Sequence, residues 1–370
     1  MTNTKIRAIA FYLPQYYPVP ENDEWWGKGF TEWTNVAKAK ALFRGHYQPR
    51  LPADLGYYDL RVPEVREAQA AMAKKYGVEG FCYWHYWFGN GRRMLERPFD
   101  EVLKSGKPDF PFCLGWANET WTGIWHGCPG KILVEQLYPG QQDYIDHFNF
   151  LLPAFQDNRY IKVDGKPLFY IYSPDKIPDL LAFTTLFKDL AIKAGLKGLY
   201  IIANTADADW NPLAHGCDAA NLNMLGSLYK HLPSARNYLL RKYRNQLLKP
   251  KLNRLYKKIF RRPLAIYDYK EAIHFFTAQK QPPFFSYPCV IPNWDNTARS
   301  GVNGLVLKNS APHFFEQHLK QAIRLIKDNE DDKKIIFIKS WNEWAEGNYL
   351  EPDAKYGRQY LEVLQKTLSK

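Results

Sequence analysis

Residues 333–351 read KKIIFIKSWNEWAEGNYLE. The stretch opens with an apolar, β-branched run at 335–338, of the kind that forms a strand buried on both faces of a parallel sheet. It stops at a polar and aromatic cluster: Ser340, Trp341, Asn342, Glu343, Trp344 and Glu346. Two carboxylates three residues apart, just beyond a buried strand and framed by tryptophans, fit a sugar-cleaving site. Glycosidases work with carboxylate pairs, and saccharide faces stack on aromatic rings. At this spacing the side chains stand roughly 5–6 Å apart at Cβ, close to the roughly 5–5.5 Å between the carboxyls of retaining glycosidases. A glutamate-rich first turn of a helix would also show two acids. It would not need the tryptophans, the asparagine or the strand.

Seven more strand candidates precede this one, at residues 6–12, 78–84, 110–114, 168–172, 199–203, 219–224 and 288–291. Helical patterns lie between them at 63–76, 99–104, 144–155, 180–194 and 313–327, and another closes the chain at 356–368. Eight strands joined by crossovers predict an α/β protein, a (β/α)8 TIM barrel with long βα loops. A doubly wound open sheet would carry a glycine-rich phosphate turn after its first strand, and YLPQYYP stands there instead. No internal repeat or low-complexity linker divides the chain, so residues 1–370 are expected to form one glycoside-hydrolase-like barrel.

In such a barrel the loops after the strands converge on one mouth. The residues found there are therefore the expected binding set: Tyr12, Trp33, His46, His85, Tyr86, Trp87, Trp116, Asn118, Glu119, Trp121, Asn204, Trp294, Asp295, Trp341 and Asn342. The loop after the first strand runs for about fifty residues, and its tryptophans, His46 and Tyr47 argue that its length serves a function. An aromatic content of 16% exceeds what a core needs, and favours a carbohydrate-facing surface. His46 and His85 lack the short-spaced partners of a zinc site, so neither a metal nor another cofactor is expected. Asp207-Ala208-Asp209 has the DxD form that holds a metal and a nucleotide sugar in some glycosyltransferases. Three residues carry little information, and a solvated loop explains them as well.

The net charge is +12, and it is local. Residues 230–262 hold twelve Lys and Arg and no Asp or Glu, so the remainder is close to neutral. This basic segment, taken as a helical insertion over residues 228–263 between strands six and seven, also carries Leu239, Leu240, Leu247, Leu255, Ile259 and Phe260. The pattern suits an anionic membrane surface, an acidic glycan, or a solvated helical hairpin with no partner. Nucleic acid is disfavoured because no recognised nucleic-acid module accompanies the charge. The polar N-terminus, the absence of a run long enough to span a bilayer, and five unpatterned cysteines point to a reducing cytoplasm, with peripheral membrane attachment compatible.

Taken together, FYLPQYYPVPENDEWWGKGFTEWTNV, FRGHYQPRLPADLGYYDLR, GFCYWHYWF, GWANETW, PNWDNTAR and SWNEWAEGNYLEPD resemble the WbsX-like proteins, a group related to glycoside hydrolase family 99. That family's enzymes are (β/α)8 barrels acting within a chain on α-mannosidic linkages, with retention. The resemblance implies that Glu343 is the base taking the proton of the sugar's own 2-hydroxyl, and Glu346 the acid protonating the departing oxygen. Ala345 departs from the His of the mannosidases, so the resemblance implies a 1,2-trans linkage such as an α-mannoside or α-rhamnoside rather than their exact substrate. WbsX-like members are associated with bacterial surface polysaccharide, and many carry a glycosyltransferase label. The reading is a hydrolase of O-antigen or capsule-type glycan, with a metal-dependent transferase at Asp207 and Asp209 as the alternative.

Overall fold

The computed structural model describes residues 6–123, 131–232, 234, 249–277 and 282–369. Eight strands form the barrel: β1 (Arg7–Tyr12), β2 (Gly80–Trp87), β3 (Phe112–Trp116), β4 (Lys166–Ile171), β5 (Tyr200–Thr205), β6 (Ala219–Leu222), β7 (Ser286–Val290) and β8 (Ile335–Ile338). Each runs parallel to its neighbours in sequence order. The sheet closes where β1 pairs with β8, Ile9 lying opposite Phe337. Closure removes both sheet edges, and the strands are buried inside and out, which is why they read as continuous apolar runs.

Six longer helices cover the barrel at α1 (Pro63–Lys75), α2 (Arg97–Ser105), α3 (Gln141–Gln156), α4 (Leu180–Lys193), α7 (Pro312–Ile326) and α8 (Gln359–Leu368), while α5 (Lys249–Phe260) and α6 (Tyr269–Thr277) lie between β6 and β7. Local chemistry fixes their ends. Pro63 and Pro312 open α1 and α7, where the missing N–H costs nothing. The Asp179 side chain caps α4 by accepting from the N–H of Ala182. Helix α7 buries Phe315, Leu319, Ala322 and Ile326. Ile323, expected on that stripe, is only partly buried. The β5–β6 crossover contains only a 3-10 turn, Pro212–His215.

The basic insertion does fall between β6 and β7. Its described part is α5 with a short helix at Leu228–His231, and residues 235–248 lie outside the described residues. After α5 the chain adds a strand, Ala265–Asp268, which pairs in parallel with Leu305–Lys308. Tyr267, Tyr269, Ala272 and Ile273 pack there with Ile291, Trp294 and Leu307 as a second core beside the barrel. This core ties the insertion to the loop after β7, and hence to the mouth.

Inside the barrel an aromatic layer supports the mouth. Phe11 stacks on Trp84 at 4.6 Å, and Tyr170 meets both Phe11 and Phe337 edge-on or tilted. Such pairs add about 0.5–1.5 kcal/mol each beyond area burial. Gly115 makes room for this layer, since a Cβ there would sit 3.0 Å from the Trp84 ring and 3.1 Å from Cys82 Sγ.

Candidate active site

Past Ile338, β8 leads through Lys339 and Ser340 into a short antiparallel ribbon, Asn342–Glu343 against Asn348–Tyr349, with a 3-10 turn, Trp344–Glu346, at its tip. The turn closes at Gly347, which has φ of +58°. A Cβ there would also lie 2.9 Å from Arg50 and from Asp295, so both conformation and space require glycine. Other loops fasten the ribbon. The Asn342 side chain exchanges hydrogen bonds with both backbone groups of Leu13, at 2.7 and 3.0 Å. The Tyr16 hydroxyl donates to the Asn342 carbonyl and accepts from the N–H of Trp344. Asp295 N–H donates to the Glu346 carbonyl at 2.7 Å. Asp295 is itself buried among His46, Gln48, Thr297 and Arg50.

This scaffold holds the Glu343 and Glu346 carboxyls within hydrogen-bonding reach of each other. Both line a cavity of about 450 Å³ walled by Trp26, Trp84, Tyr86, Trp121, Tyr172 and Trp294, with Glu32, Glu119, Arg299 and Lys339 among its polar lining. Burial alone would raise Glu343. The Lys339 ammonium, the hydrogen bond from Glu346, the Arg299 guanidinium and the Trp84 indole, which donates at 3.0 Å, together outweigh burial and hold Glu343 well below the usual carboxylate range. Burial and then the Glu343 charge push Glu346 the other way, against Arg299, which donates to it at 2.7 Å. The surroundings thus push Glu343 toward its ionised form and Glu346 toward its protonated one. Opposed shifts of this kind are what an acid–base pair requires.

Two cations balance the site. Arg299 spans Glu346 and the buried Glu32, bonding the latter at 3.0 Å. Lys339 is 6% exposed, and its ammonium lies 5.5 Å from the Trp294 ring and 5.8 Å from those of Trp84 and Tyr172. Burial works against its charge, but Glu343, Tyr172 and Glu346 more than compensate and raise its affinity for the proton.

Of the expected binding residues, Tyr86, Glu119, Trp121 and Trp294 line the cavity with the two glutamates. The others stand behind or outside that wall. His85 and Trp87 point outward to helix α3, where His85 Nε2 is 2.9 Å from His147 Nε2 and Trp87 stacks on the same ring. Burial and Arg93 drive His85 down to about 3, leaving it neutral. Trp116 also faces His147, and Tyr12 donates to Gln69 on α1. Asn118 links its loop to Ser173 through two hydrogen bonds, and Asn204 donates to the Tyr172 carbonyl. Trp33 packs on Tyr16 and Trp344, and Trp341 on Phe81. Asn342, His46 and Asp295 hold the ribbon as described.

The divergence has one cause for several of these. Strand β2 runs to Trp87 and β3 to Trp116, beyond the ends expected at residues 84 and 114. Residues taken for loop therefore still alternate, with Trp84 and Tyr86 inward and His85 and Trp87 outward. The same alternation was the signal for Trp84. Lys339 could have been found as the first polar residue past β8, while Arg299 and Glu32 carried no local signal of their pairing.

Asp207 and Asp209 are exposed, and the Asp207 side chain accepts from the N–H of Asp209 as an ordinary loop turn. Neither lines the cavity. Among the described residues no three His, Cys, Asp or Glu side chains gather as a metal site would need.

A family profile described as Glycosyltransferase WbsX matches residues 8–364. The chain belongs to this family. Among curated relatives of this WbsX-family chain, two proteins called Uncharacterized protein WxcX, from two strains of Xanthomonas campestris pv. campestris, are each 32% identical over 365 residues. The alignments cover 98% of this chain and 49% of theirs, so the chain spans about half the length of the curated relatives it matches. Two structures of the GH99 endo-alpha-mannosidase from Bacteroides thetaiotaomicron superpose with TM-scores of 0.56 and 0.55, at 16% and 18% identity, each covering 98% of this chain and 95% of theirs. A structure described as a glycoside hydrolase-like protein gives 0.57 at 16% identity, covering 100% and 95%. At such identities the likeness is one of fold, and the fold is the closed barrel expected from the strand pattern.

Proposed function

We propose that the chain is a glycan-processing enzyme that cleaves glycosidic bonds within a bacterial surface polysaccharide, using Glu343 and Glu346 and retaining configuration. The observation that carries this reading is that Glu343 and Glu346 line one tryptophan-walled cavity, Trp84 donating to the first at 3.0 Å and Arg299 to the second at 2.7 Å, with their proton affinities pushed in opposite directions. Glu346 gives its proton to the departing oxygen. Glu343 takes the proton of the 2-hydroxyl, whose oxygen forms the new bond to the anomeric carbon as the glycosidic bond breaks. Water then opens this ring, returning a proton to the 2-oxygen through Glu343 and giving one to Glu346. Back-side attack requires the 2-oxygen and the leaving group to be trans, as in α-mannosides and α-rhamnosides. The endo-alpha-mannosidases of like fold act on the first of these.

The family's description favours transfer as a second reading. A nucleotide-sugar site at Asp207 and Asp209 would lie away from the carboxyl pair, and the cavity draws on neither residue. The deciding experiment incubates the protein with surface polysaccharide from the organism that makes it, with and without nucleotide sugar, and with a chelator. Shortened chains without nucleotide sugar, unaffected by the chelator, support hydrolysis. Product that forms only with nucleotide sugar and metal overturns it.

A further inference from the structure

Helix α5 presents a face that the barrel does not use. Along its 12 residues the side chains of Lys251, Arg254, Leu255, Lys258 and Ile259 are exposed on one side, with Phe260 and Arg261 exposed where the helix ends. Leu255 is 52% exposed, and Ile259 and Phe260 are each 62% exposed. The opposite side rests on the protein: Lys257 donates to Asn303 at 2.6 Å, and the guanidinium of Arg262 lies 5.0 Å over the Phe43 ring. Phe43 stacks on His46, the partner of Asp295, so α5 sits on the rim of the mouth, attached to loops that hold the catalytic ribbon.

We infer that this face binds an anionic lipid bilayer, laying the mouth of the barrel beside the membrane surface. The composition selects that partner. Cations attract anionic headgroups, and aliphatic side chains among them gain by entering the headgroup boundary, as in interfacial helices. An acidic glycan would satisfy the cations but offers nothing to cover Leu255 and Ile259. A second copy packed face to face would set Lys251, Arg254 and Lys258 against their own likeness, with no acid on the helix to compensate. Among the described residues no helix is long and apolar enough to cross a membrane. The inferred attachment is peripheral and reversible.

The test is cosedimentation of the whole protein with vesicles of phosphatidylcholine alone, or mixed equally with phosphatidylglycerol. The protein is expected to pellet with the anionic vesicles at low salt, to stay in the supernatant with the neutral ones, and to release as salt rises. Arg254→Gln with Lys258→Gln should weaken binding by about tenfold or more. Leu255→Ser with Ile259→Ser and Phe260→Ser should weaken it as well, with circular dichroism unchanged for both variants. Absence of wild-type binding at low salt would overturn the inference, as would binding that neither variant reduces. Loss in the charge variant alone would reduce the face to a general polyanion site. Lipid-free self-association that both variants abolish would assign it to a second copy.

Discussion

The Arg299 guanidinium donates to Glu346 at 2.7 Å while its Nε donates to Glu32 at 3.0 Å, so one partly buried cation is shared between the proposed acid and a second, buried carboxylate. Arg299→Met would leave Glu32 buried without a counter-charge. Removing one partner of a buried ion pair typically costs about 3–5 kcal/mol. Denaturant unfolding should register a loss of that order. In enzyme that still folds, the basic limb of the pH–rate profile should move upward, because the cation opposing protonation of Glu346 is gone. A downward move would contradict the assigned protonation.

Trp84→Phe retains most of the ring packed on Phe11 and deletes the 3.0 Å hydrogen bond to Glu343. With a donor to the ionised form removed, the Glu343 pKa should rise and the acidic limb of kcat/KM should move toward neutrality. The shift should be about one to two pH units, since hydrogen bonds to charged groups contribute about 1.5–3 kcal/mol, and activity at neutral pH, where Glu343 stays ionised, should change little. An unmoved acidic limb would show that the indole plays no electrostatic part.

Both limbs of the native profile follow from the same pair. Activity should climb with pH as Glu343 ionises and fall as Glu346 loses its proton, giving a bell whose two midpoints belong to the coupled pair. A single-limbed profile across that range would mean that only one of the carboxyls transfers a proton.

Below the ribbon, Glu351 accepts from Trp344, Gln69 and Tyr58, yet burial pushes it up to about 7. Its folded pKa therefore lies above the unfolded value near 4.5, so the folded state binds the proton more tightly. That contribution to stability is full below about pH 4.5 and is lost as pH rises toward 7, on the order of 3 kcal/mol in all. Glu351→Gln should flatten the decline of stability between these pH values, measured by urea unfolding at each pH. An equally steep decline in the variant would locate the effect elsewhere.

The barrel was legible because parallel strands buried on both faces leave continuous apolar runs, and all eight appear within a few residues of their expected places. The carboxyl pair was legible because it follows β8 directly. What sequence could not supply was how far β2 and β3 persist into their loops, which decides whether Trp84 or His85 faces the cavity. Nor does local pattern reveal that Arg299 reaches Glu32, 267 positions away, because such pairing is set by the meeting of two loops at the mouth.

A substrate lacking its 2-hydroxyl should occupy the cavity and remain uncut, because the interaction removed forms in the transition state. Direct attack by Glu343 would tolerate that change far better. Trapping a glycosyl ester on Glu343 would replace neighbouring-group attack with an ordinary double displacement, and leave the carboxyl pair in place.

The most direct measurement is the chain length of the surface polysaccharide after incubation with the wild-type protein, with Glu343→Gln and with Glu346→Gln, without nucleotide sugar. The wild type should shorten the chains, and each variant, folded as judged by circular dichroism, should be slower by about two to four orders of magnitude, the usual worth of a positioned proton transfer. Cleavage by either variant at near the wild-type rate would contradict the assignment of Glu343 and Glu346 as the acid–base pair.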